Sequence, residues 1–156
     1  MSSQNHPLCE NGGTCWLTPE CARVQGEMRD LAAALAEAAL SEYDELVPSF
    51  RKAIAEFRSH LREHVADVQG PGGAYHKLLV NQPMQSRQVN RLCHEHAELE
   101  QRMEGLDRRL AAFDAADPQW ERAVRQAALR LAEVLQNHHD RGRSLAAFAQ
   151  APEGQD

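Results

Sequence analysis

Apolar residues recur at every third or fourth position in four separate stretches of this chain. In three of those stripes one apolar place is taken by histidine. The first stripe is Met28, Leu31, Leu35 and Ala38, and the second is Phe50, Ile54, Phe57, Leu61, His64 and Val68. Val89, Leu92, His96, Leu99, Met103, Leu106 and Leu110 make the third, and Val124, Ala128, Leu131, Leu135, His138 and Leu145 the fourth. This spacing marks the buried face of a helix. Four such faces can be buried together only against one another, so the pattern predicts an all-α, antiparallel four-helix up-down bundle over residues 18–149. An irregular Cys-containing tail (1–17) precedes it and a polar tail (150–156) follows. Ala, Leu, Glu, Arg and Gln dominate and β-branched residues are scarce, so a sheet would lack its usual material.

The breaks between stripes have their own signals. Thr18-Pro19-Glu20 reads as a helix start, with a capping hydroxyl, proline at the first helical position and an acid at the positive end. From Ser41 to Pro48 the pattern loosens. Either the chain breaks near Ser41 or one long helix kinks at Pro48, and two helices fit the repeat better. Gly70-Pro71-Gly72-Gly73 ends the second stripe sharply. Ala74 to Val80 reads as a short helix carrying Tyr75 and His76, Pro83 opens the third long helix, and Asp114-Ala115-Ala116-Asp117-Pro118 is a turn with a fresh cap.

The formal charge is −6 over 156 residues, with no basic stripe, which argues against a nucleic-acid partner. No apolar run approaches the about 20 residues that span a bilayer. Met-Ser-Ser-Gln-Asn-His has neither a basic nor an apolar leader region, so a cytoplasmic location is expected. Cys9, Cys15 and Cys21 crowd the start, where with His6 they offer four soft donors at gaps wider than zinc or iron–sulfur sites use. One of them could pair with Cys93 if the tail folds back, or all could stay reduced. The neighbouring His94 would lower the pKa of Cys93, whereas a lone helical cysteine is ordinarily a buried, inert thiol.

The histidines carry the functional reading. Leu61-Arg62-Glu63-His64 recurs as Leu135-Gln136-Asn137-His138, and Gly26-Glu27-Met28-Arg29-Asp30-Leu31 recurs as His94-Glu95-His96-Ala97-Glu98-Leu99. In an up-down bundle the end of the second helix, the start of the third and the end of the fourth share one level. His64, His96 and His138 are therefore expected to converge in the core, where each ring would lose its hydration. Three imidazoles could bind one Zn, Fe, Ni or Cu ion with a position left open. His60, one turn before His64, is a secondary candidate, its alternative being a solvent-facing side chain. Glu100 and Glu63 could add a carboxylate, and His76 could cover the site from the loop. His94 and His139 are read as surface. Haem held by a His–His or His–Met pair is a further possibility, with Met28 as the sulfur donor or, more simply, as core filler.

This arrangement resembles the haemerythrin-like (HHE) family over roughly Glu20 to Leu145. The matching words are Glu95-His96-Ala97-Glu98-Leu99, Leu61-Arg62-Glu63-His64 with the glycine turn behind it, and Leu135-Gln136-Asn137-His138. The resemblance implies a bundle holding two irons through five histidines and two bridging carboxylates, in proteins that bind or sense oxygen, redox state or nitric oxide, or that buffer iron. His64, His96 and His138 match that set. Met28 replaces the first-helix histidine, Leu92 the other third-helix histidine, Val68 and Gln69 one bridging acid, and Gly142 and Arg143 the second. Without the bridges an ordinary di-iron carrier is not expected. The expectation is a carboxylate-poor histidine site for iron or zinc, with dioxygen or nitric oxide as the ligand. The alternative is a metal-free bundle acting as an interaction or regulatory protein. No nucleophile sits beside a base and no acid pair suits proton transfer, so an enzyme such as a metal-dependent oxidase or peroxidase ranks third. The sequence leaves the oligomeric state open.

Overall fold

A computed structural model describes residues 19–149. The tail 1–17 with His6, Cys9 and Cys15, the Thr18 cap and residues 150–156 lie outside the described residues. Helix α1 is Pro19–Glu37, α2 is Tyr43–Gln69, α3 is Ala74–Asn81, α4 is Ser86–Ala111 and α5 is Pro118–Ala149. Short 3-10 turns, Leu40–Glu42 and Pro83–Gln85, lead into α2 and α4. The four long helices pack antiparallel, α1 against α5 and α2, and α4 against α5 and α2. The running direction shows in the cross-links. Arg51 bonds Asp107 while Arg58, seven residues later, bonds Glu100, seven residues earlier.

The open choice at Ser41 resolves as a break. Helix α1 stops at Glu37, and Pro48 is carried inside α2. Tyr43 makes the break rigid. Its side chain is fully buried, its hydroxyl donates to the Leu35 carbonyl at 2.8 Å, and its ring meets Trp120 edge-on at 5.8 Å. Arg125 donates to the Ala36 carbonyl at 2.7 Å, satisfying an acceptor that the end of α1 leaves unpaired. Trp120 does the same for α4, donating from Nε1 to the Arg109 carbonyl at 2.7 Å. Asp117 caps α5 by accepting from the Gln119 amide.

The second, third and fourth stripes are buried at every position read from the sequence. The first is not. Leu31 is 39% exposed, and Ala32 takes the inward place. The buried apolar residues form two clusters. The larger, including Met28, Leu35, Phe57, Leu61, Leu99, Met103, Leu131 and Leu135, fills most of the bundle. The smaller, including Val68, Tyr75, Leu78, Val89, Leu92 and Leu145, fills the end covered by α3. Among the described residues no helix is long and apolar enough to cross a membrane.

Candidate functional site

Between the two apolar clusters lies a polar layer. Each inward stripe passes from one cluster to the other through a histidine: Leu61–His64–Val68 on α2, Leu99–His96–Leu92 on α4, Leu135–His138–Leu145 on α5. The three rings are 7%, 4% and 5% exposed, and they meet. The ring centres of His64 and His96 are 5.2 Å apart and those of His96 and His138 4.8 Å. The Tyr75 ring from α3 lies nearly parallel to His96, with centres 6.2 Å apart.

Each imidazole uses Nδ1 toward a side chain outside the trio. His138 Nδ1 is 2.8 Å from Glu95 Oε1, His96 Nδ1 is 2.6 Å from Gln69 Oε1, and His64 Nδ1 is 3.8 Å from Cys21 Sγ. A carboxylate or amide oxygen only accepts, so His138 and His96 carry their hydrogen on Nδ1. In the neutral ring this leaves Nε2 as a bare lone pair. His96 Nε2 is buried and has no hydrogen-bond partner.

Burial is the main reason His64 and His96 resist protonation. It lowers the His64 pKa to about 4, helped by the positive charge that His138 and His60 can carry. It lowers His96 to about 2, helped by His138 and His64. Glu95 is the counterweight. Burial pushes its carboxyl up, but the bonds and charges of His138 and Arg141 together outweigh this and hold it below the usual carboxylate range. Arg141 Nε reaches Glu95 Oε2 at 2.7 Å, so the one buried acid of the layer is hydrogen-bonded from both sides and its charge is met by Arg141.

The remaining space is a cavity of about 10 Å³, lined by Gln25, His64, Tyr75, His138 and His139 with Leu92 and Gly142. That is room for one water molecule. A haem plane does not fit. Gln25 Oε1 and His139 Nδ1 are also buried without hydrogen-bond partners, so unmet polar atoms surround the void. For a single ion the donor chemistry fits. Two imidazoles sharing one tetrahedral ion at Zn–N distances of about 2.0 Å have ring centres about 5 Å apart, close to the two separations seen here. Among the described residues, however, no group of three His, Cys, Asp or Glu side chains stands arranged to hold an ion.

Other expected residues lie elsewhere. Glu100 is tied to Arg58 and Arg62 on the outer face, and Glu63 and His76 are exposed. His60 is not the solvent-facing residue of the simpler reading. It is half-buried, its Nε2 lacks a partner, and it lines a groove between α1 and α2 with Met28 and Phe57. His139, expected at the surface, is half-buried at the cavity, whereas His94 is exposed as expected. Met28 belongs to the larger apolar cluster, and Gln25 is the residue of α1 that lines the cavity. Cys93 carries a free thiol, and burial pushes its pKa up, against the lowering expected from His94.

Glu95, Gln69, Cys21, Gln25 and Tyr75 are the additions. Three of them had a signal in the sequence. Leu92, Glu95 and Leu99 step by three and four, as helical a stripe as the four and three of Leu92, His96 and Leu99, and Cys21, Gln25 and Met28 continue the first stripe backward. Comparison with protein-family models, with curated proteins and with solved structures finds no match to this chain.

Proposed function

We propose that this chain is a divergent haemerythrin-like, metal-binding protein of the cytoplasm, in which His64, His96 and His138 hold one iron or zinc ion through Nε2. The observation that carries the reading is the buried, neutral and unpartnered His96 Nε2, set between two more imidazoles whose outer nitrogens are already engaged. A ring fixed at Nδ1 by an oxygen acceptor is the usual support of a metal-ligating histidine. Glu95 and Gln69 would be those supports, and turns of the rings about existing bonds would bring the donors together. Iron held there with an open position would supply a place for a small ligand such as dioxygen or nitric oxide, whereas redox-inert zinc would take water or another donor in that position. Gln25 and Tyr75 would border it.

Adding zinc or ferrous ion to chelator-stripped protein is expected to load about one equivalent and to raise the thermal midpoint by mass action. His96→Ala abolishes both effects. Binding of less than about a tenth of an equivalent overturns the reading.

The second reading, a metal-free bundle with an interaction or regulatory role, is favoured by the lack of a ready donor set among the described residues and by the one-water cavity. Under it, replacing all three histidines by alanine removes no ligand and changes stability by no more than about 2 kcal/mol.

A further inference from the structure

A far roomier concavity lies outside the histidine layer. It is a groove of about 610 Å³ where the start of α4 meets the end of α5, a volume in the range of small-molecule sites. Its walls are polar: Gln85, Gln88, Asn137, Asp140, Arg141 and Ser144, with Leu145 as the apolar floor. The two charges are opposite and adjacent. Arg141 is fixed from behind by its Nε bond to Glu95, and its terminal nitrogens make no other bond among the described residues. Asp140 accepts from Gln136 Nε2 at 2.9 Å through Oδ1, which leaves Oδ2 toward solvent.

We infer that this groove binds a small zwitterion of amino-acid or dipeptide size, its carboxylate on Arg141 and its ammonium on Asp140. The charge balance selects this class. Arg141 is already half-spent on Glu95 and Asp140 stands beside it, so the groove has no surplus positive charge for a phosphate or dicarboxylate. The chain as a whole is acidic, at −6, and repels dianions further. A ligand carrying both signs satisfies both residues at once, and the amides of Gln88 and Asn137 with the Ser144 hydroxyl can serve a peptide bond. The site does not depend on a metal in the histidine layer, so the two proposals stand or fall separately.

Calorimetric titration of the full chain with glycylglycine, acetate, methylammonium and inorganic phosphate tests it. Glycylglycine is expected to bind at least about ten-fold more tightly than each of the others. Asp140→Asn should erase that preference, and Arg141→Gln should abolish binding. Because Arg141 also braces Glu95, Asp140→Asn and Asn137→Ala, both at exposed positions, carry the test if Arg141→Gln fails to fold. The inference is overturned if glycylglycine binds no more tightly than about 10 mM, if phosphate or acetate equals it, or if Asp140→Asn leaves the preference intact.

Discussion

The neutrality of His64 and His96 sets how the protein meets acid. Above about pH 6.5 both rings are uncharged whether the chain is folded or not, and their contribution to stability is complete. Below that, the unfolded chain takes up protons that the folded one refuses until about pH 4 at His64 and lower still at His96. The unfolded state then binds more protons, so stability is lost as the pH is lowered, by up to about 1.4 kcal/mol per pH unit for each ring. In metal-free protein the urea midpoint should drop between about pH 7 and pH 5, and His64→Leu should make the drop shallower. A midpoint insensitive to pH would contradict the burial of these rings. The imidazole trio itself was legible, because a histidine in an apolar stripe stands out. Its partners were harder to see. Gln69 and Tyr75 act from a helix end and a short helix, where three or four residues give no period to read. Glu95 follows the stripe spacing, but a charged residue at a stripe edge ordinarily faces water.

At the scale of elements, the glycine turn between α2 and α3 fixes where Tyr75 sits. Gly72 has φ of +72°, and a Cβ on Gly73 would fall 2.4 Å from the Asp67 carbonyl oxygen. Gly73→Ala should therefore cost about 2 kcal/mol or more and Gly72→Ala about 1 kcal/mol. Gly105, inside α4 with open space around its would-be Cβ, behaves oppositely. Gly105→Ala should stabilise by about 0.5–1 kcal/mol. Thermal melts of the three variants check the order, and equal effects would remove the steric argument. The turn and the short helix were both readable from Gly70-Pro71-Gly72-Gly73. The inward face of α1 was only partly so. Leu31 and Ala32 are neighbours, and hydrophobicity favours the leucine, but α1 packs closely on α5 and the alanine is what fits between them.

For the molecule as a whole, the polar layer separates a large apolar cluster from a small one, and the two should not share one stability. The small cluster depends on α3, eight residues held by Tyr75 and Leu78. Hydrogen exchange should be faster in α3 and at the start of α4 than in the middle of α5. Leu78→Ala, at a cost of about 2–3 kcal/mol, should widen that gap while leaving the central amides of α5 near their original rates. Uniform acceleration along the chain would show a single cooperative unit instead. The bundle was predictable from its stripes, whereas the division was not, since apolar spacing runs unbroken through each histidine.

The stacking of Tyr75 on His96 gives the molecule a direction. At one pole Tyr43, Trp120 and Arg125 lock the helix ends together. At the other, the Tyr75 ring on a short helix covers one face of His96, with Gln69 beside it. Between the imidazoles and the locked pole lies the larger apolar cluster, whereas only the smaller one separates them from the other.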